Sequence, residues 1–215
     1  MKNQITYKNF SREKTIDHFQ DHQDIIKQYN INSVIEFGVG EGTNVFLKNC
    51  TGKITSVELL TTDYPLAELL KISTDEWVNY SINEFKKYDN WNAVKYEVQS
   101  SILDAEYDVT GKGNKGVIRG NSPSSMDYIQ ELTNLINTLN ISEYDMAFVD
   151  PGIHLRGDIV NLLFDKVNII TAHDFNIQPI YGYNRINIPP TYEGYSGNHS
   201  MEGLGVFIKK TINKE

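Results

Sequence analysis

The stretch SVIEFGVGEG, residues 33–42, joins a short apolar run to three glycines at alternate positions, Gly38, Gly40 and Gly42. The apolar run is typical of a buried strand, and Glu41 to Asn49 can begin a helix. Glycine lacks Cβ and tolerates positive φ, so the backbone can turn tightly here and approach a ligand closely. The free N–H groups of a helix N-terminus add hydrogen-bond donors. We therefore predict a strand, a ligand-binding turn and a helix; a turn that serves packing alone is the alternative.

The spacing of these glycines disfavours two other nucleotide-binding motifs. A dinucleotide-binding motif, G-x-G-x-x-G, needs its third glycine where Thr43 stands, one residue after Gly42. A P-loop needs Lys and then Ser or Thr after its last glycine, and this chain has Thr43 and Asn44 there. The motif is therefore unlike those of NAD-binding enzymes and of nucleoside triphosphate hydrolases.

Strand-like and helix-like segments alternate along the rest of the chain. Apolar or β-branched runs predict strands at 53–58, 92–98, 144–150, 167–172 and 204–209, and helix-favouring stretches predict helices at 15–29, 75–87 and 158–164. Alternating β and α units favour a doubly wound, mostly parallel sheet with helices on both faces, which is a Rossmann-like α/β fold. Ligands of such folds bind at the carboxyl ends of the strands.

Length and patterning favour a single domain, residues 1–215. A chain of 215 residues lies below the ~250 residues at which single cores stop growing. The domain begins with a helical segment, 1–31, and is interrupted by two long unpatterned insertions near 100–125 and 176–203. Such stretches are either lids and substrate-binding loops or disordered insertions. The tyrosines between 181 and 195 either pack in the core or line a substrate pocket.

Composition limits the classes of partner. Apolar residues make up 40% of the chain and charged residues 22%, as in globular proteins, and the net charge of -8 disfavours nucleic-acid binding through phosphate neutralisation. We expect the lone Cys50 to be a buried apolar residue, and His18, His22 and His199 to lie at the surface or in loops. The sequence shows neither a signal peptide nor a membrane-spanning stretch, so we expect a cytoplasmic protein. A homo-oligomer is consistent with general base rates.

The motif at residues 36–42, an acidic residue followed by G-x-G-x-G, resembles the first motif of class I S-adenosylmethionine-dependent methyltransferases. The resemblance covers roughly residues 33–175 and implies S-adenosylmethionine as the cofactor and methyl transfer as the activity. In that family a second acidic residue, at the end of the next strand, holds the ribose hydroxyls, and Glu58 stands in that place. A carboxylate suits this task because it accepts charge-assisted hydrogen bonds; an exposed strand-end carboxylate is the alternative. The cofactor-binding residues implied by the resemblance are Glu36, Gly38, Gly40, Glu41, Gly42, Glu58, Ser100 on the adenine side, and Asp150.

Two later segments are similar to small-molecule and sugar O-methyltransferases related to macrocin O-methyltransferase. They are Phe148-Val-Asp150, with His154 four residues on, and His173-Asp174-Phe175. Those enzymes often read Asp-Gly-x-His at the fourth strand, whereas this chain has one residue more between Asp150 and His154. The resemblance implies that the methyl acceptor is a hydroxyl of a small molecule or a sugar.

The same resemblance implies a catalytic group made of Asp150, His154, His173 and Asp174. In metal-dependent relatives, carboxylates after the fourth and fifth strands bind a divalent ion, usually magnesium, and Asp150 and Asp174 are the matching positions. Magnesium prefers such oxygen ligands and would lower the pKa of a bound hydroxyl. Without a metal, His173 or His154 can act as general base. Alternatively, the two aspartates only cap the turns or helices that follow them.

Fold alone does not decide the chemistry of such a site. One alternative is an enzyme that cleaves S-adenosylmethionine or uses it in non-methyl chemistry. The other is a non-catalytic module that binds the cofactor as a sensor or scaffold. The sequence does not name the acceptor, because the stretches expected to line its pocket carry the least pattern.

Overall fold

The computed structural model describes residues 18–61, 74–103, 123–151, 156–176, 181–196 and 203–210. Within these residues seven strands form one sheet: β1 Val34–Phe37, β2 Ile54–Thr61, β3 Trp91–Val98, β4 Met146–Val149, β5 Ile169–His173, β6 Tyr192–Ser196 and β7 Leu204–Lys209. Their order across the sheet is β3-β2-β1-β4-β5-β7-β6. The neighbours from β3 to β5 are parallel, whereas β7 is antiparallel to both β5 and β6. The predicted fold class is confirmed.

Helices cover the sheet on both faces. Those in the described part of the chain are α1 His18–Gln28, α2 Thr43–Asn49, α3 Thr74–Phe85, α4 Met126–Thr138 and α5 Arg156–Leu163, with short 3-10 helices at Ile141–Glu143 and Tyr183–Arg185. Two hydrophobic clusters result, one between the sheet and α4 and α5, the other between the sheet and α1 and α2. None of the described helices is long and apolar enough to cross a bilayer.

β1 shows why the sequence specifies this layering. Side chains of a strand alternate between the two faces of a sheet. Ile35 and Phe37 belong to the cluster under α4 and α5, whereas Val34 belongs to the cluster under α1 and α2. All four residues of β1 are buried, as expected for a central parallel strand with helices on both sides. Glu36 therefore points into an apolar layer, which makes its partners important.

Two elements were not expected from the sequence. α4 begins after Ser125, whose Oγ accepts the N–H of Tyr128, and it buries Tyr128 and Leu132 at helical spacing. β6 lies inside 176–203, so the prediction of one continuous loop there is wrong. β6 is an edge strand in which every residue except Tyr192 is exposed, and it therefore lacks the apolar alternation that indicates a strand.

The other expected insertion is described only at its ends. Leu103 and Ser124 form an antiparallel bridge, so the chain leaves and re-enters the fold at one place. The stretch between them, 104–122, lies outside the described residues, as does the first part of the predicted N-terminal helical segment, 1–17.

Candidate functional site

The glycine turn after β1 is shaped by its contact with the end of β4. Gly38 has φ +97°, and a Cβ there would lie 2.3 Å from the carbonyl oxygen of Asp150. The N–H of Asp150 donates to the carbonyl of Phe37 at 2.8 Å, which holds the two strand ends together. The sheet itself therefore requires glycine at position 38. By contrast, a Cβ at Gly40 would meet no atom of the described residues within 4 Å.

Glu36 braces this turn from beneath. Its side chain is 1% exposed, and its Oε1 accepts hydrogen bonds from the hydroxyls of Thr43, at 2.6 Å, and of Ser56. Thr43 Oγ1 in turn accepts the backbone N–H of Gly40 at 3.2 Å. Glu36, which the resemblance placed among the cofactor-binding residues, is thus hydrogen-bonded to Thr43, which in turn holds the backbone of the turn.

The buried position of Glu36 makes the protein sensitive to pH. Burial raises the pKa of Glu36 to about 8, although the hydrogen bonds from Ser56 and Thr43 oppose this, and the negative charges of Asp150 and Glu58 add to it. The folded protein therefore holds a proton that the unfolded chain releases at a much lower pH. Stability contributed by this proton is present at acidic pH and is lost as pH rises through about 8.

We expect Glu36→Gln to remove this pH dependence. Glutamine keeps an acceptor oxygen for Thr43 and Ser56 but cannot ionise. Its Tm should match that of the wild type near pH 5 and exceed it by roughly 8–16 °C near pH 9, which corresponds to roughly 4 kcal/mol. Glu97→Gln, which makes the same change at an exposed position of β3, is the control. Thermal unfolding across this pH range decides the matter, and a Tm difference that does not vary with pH would contradict the expectation.

Glu58 lies beside the same turn. Phe37 of β1 pairs with Val57 of β2, so Glu58, the next residue of β2, lies next to the turn that follows Phe37. Its Oε2 accepts the N–H of Val39 at 2.8 Å. Burial raises the pKa of Glu58 to about 7 against the effect of the Val39 N–H, and Asp150 adds to the rise. We expected Glu58 to end its strand, but β2 continues to Thr61 because it stays paired with β3.

Ser100, expected on the adenine side of the cofactor, is hydrogen-bonded to a residue that the sequence did not single out. The carboxylate of Glu131, on α4, accepts the backbone N–H groups of Gln99, at 2.9 Å, and Ser100, at 2.8 Å. It also accepts the hydroxyl of Tyr96 at 3.1 Å. Burial of Glu131 acts to raise its pKa, but these hydrogen bonds outweigh it and lower the pKa. Glu131 thus fixes the backbone that follows β3.

The ends of β4 and β5 bring Asp150, His173 and Asp174 together around an unexpected arginine. Arg156, the first residue of α5, lies 2.8 Å from Asp150 Oδ1 through one terminal nitrogen and 2.7 Å from Asp174 Oδ2 through the other. His173 Nδ1 lies 3.2 Å from Asp150 Oδ2, and its Nε2 lies 3.5 Å from Asp174 Oδ1. Asp174 adopts φ +57°, which aspartate tolerates. We name these four residues the carboxylate–arginine cluster.

The charges in this cluster support one another. Burial acts to raise the pKa of Asp150, but Arg156 and His173 outweigh it and hold that pKa below its usual value. Burial acts to lower the pKa of His173, but its hydrogen bond and charge interaction with Asp150 raise it. The arrangement keeps Asp150 ionised and makes His173 a stronger base than an isolated buried imidazole.

Two histidines of α1 are buried, and one of them lies against this cluster, so the prediction that His18 and His22 are surface or loop residues is wrong. His18 is 6% exposed and its ring centroid lies 4.1 Å from that of His173, while His22 is fully buried with Nε2 3.1 Å from Thr171 Oγ1. Burial, with His173 adding, lowers the pKa of His18 to about 4, so its imidazole is neutral at neutral pH. His18 and His22 are polar, so a search for apolar residues at helical spacing does not find this buried face of α1.

The remaining predicted residues have varied outcomes. His154 and His199 lie outside the described residues. Glu41 is half-buried in the glycine turn, where its carbonyl accepts the N–H of Asn44 at 3.1 Å. Gly42 precedes α2, and a Cβ there would lie 3.3 Å from the Phe148 ring and 4.0 Å from His18 Nε2. Cys50 is buried, as expected.

Tyrosines of the second expected insertion serve different purposes. The hydroxyl of Tyr183 donates to the His173 carbonyl, and that of Tyr192 donates to the Val167 carbonyl at 2.5 Å, so both are packing residues. The ring of Tyr181 lies 3.8 Å from the guanidinium carbon of Arg156 and covers the carboxylate–arginine cluster. Tyr195 is 43% exposed.

Comparison with known proteins places the fold. No protein-family model matches the chain, and no curated protein matches it. Among solved structures it is similar to an O-methyltransferase from Bacillus cereus in complex with SAH, with a TM-score of 0.55, 10% identity, and coverage of 93% of this chain and 84% of the other. A putative caffeoyl-CoA O-methyltransferase from Staphylococcus aureus matches with a TM-score of 0.53, 12% identity, and coverage of 89% and 82%.

A third similar structure is the O-methyltransferase TomG from Streptomyces achromogenes, which is involved in tomaymycin synthesis and was solved in complex with SAM. It matches with a TM-score of 0.51, 9% identity, and coverage of 89% of this chain and 79% of the other. At these identities the likeness establishes the fold. The site must therefore be interpreted from its own residues.

Proposed function

We propose that this chain, whose fold is that of the solved O-methyltransferases, transfers the methyl group of S-adenosylmethionine to a hydroxyl of a small-molecule or sugar acceptor. The observation that supports this most is the glycine turn at the carboxyl end of β1. There a Cβ at Gly40 would meet no atom within 4 Å among the residues that the structure describes, Glu36 supports the backbone through Thr43, and Glu58 lies alongside. Ligands of doubly wound sheets bind at this edge. The names of the similar structures, a caffeoyl-CoA enzyme and one of tomaymycin synthesis, favour a small-molecule acceptor.

The residues around the turn fit the parts of the proposed cofactor. Glu58 would accept hydrogen bonds from the ribose hydroxyls, since a carboxylate has more acceptor capacity than the single bond to Val39 uses. The backbone of Gly38, Gly40, Glu41 and Gly42 would lie against the amino acid portion. Bound there, the cofactor supplies a methyl group on a positively charged sulfur, and the nearby carboxylates Glu58 and Asp150 suit that charge.

His173 is the proposed base for the acceptor hydroxyl. With Nδ1 turned to Asp150 Oδ2 at 3.2 Å, Nε2 is the basic nitrogen of the neutral ring. Nε2 is buried 3.5 Å from Asp174 Oδ1, so the acceptor hydroxyl would have to enter beside that carboxylate to reach it. Asp150 fixes the ring and stabilises the imidazolium that forms. The acceptor oxygen would then attack the methyl group in line, and positioning of the two reactants supplies much of the rate enhancement. His154 remains the alternative base predicted from the sequence.

Incubation with methyl-labelled S-adenosylmethionine and a panel of hydroxylated small molecules and sugars tests the proposal. Mass spectrometry should detect a methylated acceptor and S-adenosylhomocysteine in equal amounts. Breakdown of the cofactor without any methylated acceptor would instead favour an S-adenosylmethionine-cleaving enzyme. A cofactor that binds and stays unchanged with the whole panel would favour a non-catalytic binding module.

We expect Glu58→Ala to weaken binding of S-adenosylmethionine and S-adenosylhomocysteine by roughly 1–3 kcal/mol, or about 5–150-fold, through loss of charge-assisted bonds to the ribose. NAD should not bind to the wild type. Isothermal titration calorimetry measures all three affinities, with Glu97→Ala on the neighbouring strand as the matched loss of a carboxylate. Unchanged affinity in Glu58→Ala would remove this residue from the site, and NAD binding would reopen the dehydrogenase class.

A further inference from the structure

We propose that Arg156 takes the place of the divalent metal in this chain, so that the carboxylate–arginine cluster works with a resident guanidinium and without magnesium. This proposal rests on the proposed methyltransferase function. It departs from what the family resemblance implies for Asp150 and Asp174.

Distance alone does not exclude a metal here. Ligand atoms of Asp150, His173 and Asp174 all lie within 4.8 Å of one another, which is close enough to surround a small ion. A metal ion is disfavoured because these ligand atoms already have other partners. Arg156 uses one terminal nitrogen for each carboxylate, at 2.8 Å and 2.7 Å, and the second oxygen of each carboxylate lies within 3.5 Å of a His173 ring nitrogen.

The charge of the cluster leads to the same conclusion. Two carboxylates at the ends of neighbouring parallel strands would repel each other unless a cation lay between them. The guanidinium already meets that need and leaves one net negative charge, which favours a positively charged cofactor beside it. A divalent ion added next to the buried guanidinium would bring two like charges together in a poorly solvated place. Magnesium and Arg156 are therefore mutually exclusive occupants.

Arg156 is held too firmly to give way readily. Its side chain is 4% exposed, it donates to the carbonyl of His173 at 3.1 Å, and Tyr181 covers it. The backbone at the start of α5 is fixed as well, because a Cβ at Gly157 would lie 2.2 Å from the carbonyl oxygen of Gly182. Moving the guanidinium out of the cluster would cost its contacts with the His173 carbonyl and the Tyr181 ring, and the backbone of α5 could not shift to restore them.

Arg156 is thus a positioning residue. It holds Asp150 and Asp174 at fixed places, and through Asp150 it sets the orientation of the His173 ring. In a metal site the ion would bind the acceptor directly; here the acceptor would meet the imidazole instead.

Magnesium titration of the free protein, followed by calorimetry and by thermal unfolding, tests this inference. Wild-type protein should show no binding heat and no change in Tm with millimolar magnesium or with a chelator. Arg156→Met, which keeps the unbranched stem of the side chain but removes the guanidinium and its charge, should gain magnesium binding, with a rise in Tm of roughly 3–6 °C when the ion is in tenfold excess over Kd. A residue with a merely structural role would confer no such gain on removal.

Arg185→Met is the matched control, because Arg185 forms a comparable ion pair with Asp158, at 2.9 Å, outside the cluster. It should gain no magnesium response. Magnesium binding by the wild type at these carboxylates would overturn the inference, and so would an Arg156→Met protein that folds yet ignores magnesium. If Arg156→Met does not fold, Arg156→Lys replaces it and should keep the wild-type indifference to magnesium. Because these titrations contain no S-adenosylmethionine, their outcome is separate from any failure of the proposed methyl transfer.

Discussion

Gly38→Ala should lower the free energy of unfolding by roughly 3–5 kcal/mol and abolish cofactor binding. Alanine at this position would have to hold φ near +97° and would place its Cβ 2.3 Å from the backbone oxygen of Asp150. Because that oxygen belongs to the end of β4, relief of the clash must separate β4 from β1 or reshape the turn. Either movement would displace the backbone that is proposed to hold the cofactor.

Gly40→Ala is the matched control for this change. A methyl group at Gly40 meets no atom within 4 Å in the described part of the chain, so the Tm of this variant should stay within ~2 °C of the wild-type value. Its affinity for S-adenosylhomocysteine should nevertheless fall, because the methyl group enters the space proposed for the ligand. Thermal unfolding and calorimetry on both variants separate the two effects. Equal Tm values for Gly38→Ala and the wild type would show that the turn does not depend on its contact with β4.

Asp150→Asn should reduce methyl transfer by roughly 10²–10⁴-fold, as should His173→Gln. Asparagine has nearly the shape of aspartate but lacks the charge that Arg156 and His173 face, so the imidazole loses the partner that stabilises its protonated form. Affinity for S-adenosylhomocysteine should change by less than about threefold, because a group acting in the chemical step contributes little to ground-state binding.

Single-turnover transfer to an acceptor found in the labelled-cofactor screen, together with calorimetry, measures the two quantities separately. Asp158→Asn is the control, since Asp158 pairs with Arg185 and accepts a hydrogen bond from Ser124 at 2.7 Å, away from His173. It should keep wild-type transfer. Transfer that survives both Asp150→Asn and His173→Gln would place the base elsewhere, with His154 the next residue to replace.

The positions of most strands along the chain, and the glycine turn, could be predicted from the sequence because their signals are local. The central strands are short apolar runs, and three glycines at alternate positions indicate a backbone that turns sharply. β6 and α4 were missed for different reasons. β6 is exposed along most of its length, so no periodicity distinguishes it from a loop. In α4, by contrast, Tyr128 and Leu132 are buried at the four-residue spacing of a helix, and this spacing is visible in the sequence.

The convergence of Asp150 and Asp174 was also open to prediction, because parallel strands deliver their carboxyl ends to one edge. The group that neutralises the two carboxylates could not be predicted. Arg156 enters the site from the start of α5, His18 from α1, and Glu131 reaches the end of β3 from α4. Each is an ordinary polar residue in its own segment, and its role arises from packing between segments distant along the chain.

By itself, then, the sequence determined where the tight turn lies and which segments form strands. Both depend on backbone conformation and on the periodicity of burial, which are set by neighbours along the chain. Tertiary structure alone decided that Glu36 braces the turn through Thr43 and that a guanidinium lies between the two aspartates. Hydrogen bonds and ion pairs act over a few ångströms in space. Which groups come that close depends on how helices and strands pack, and no local pattern encodes it.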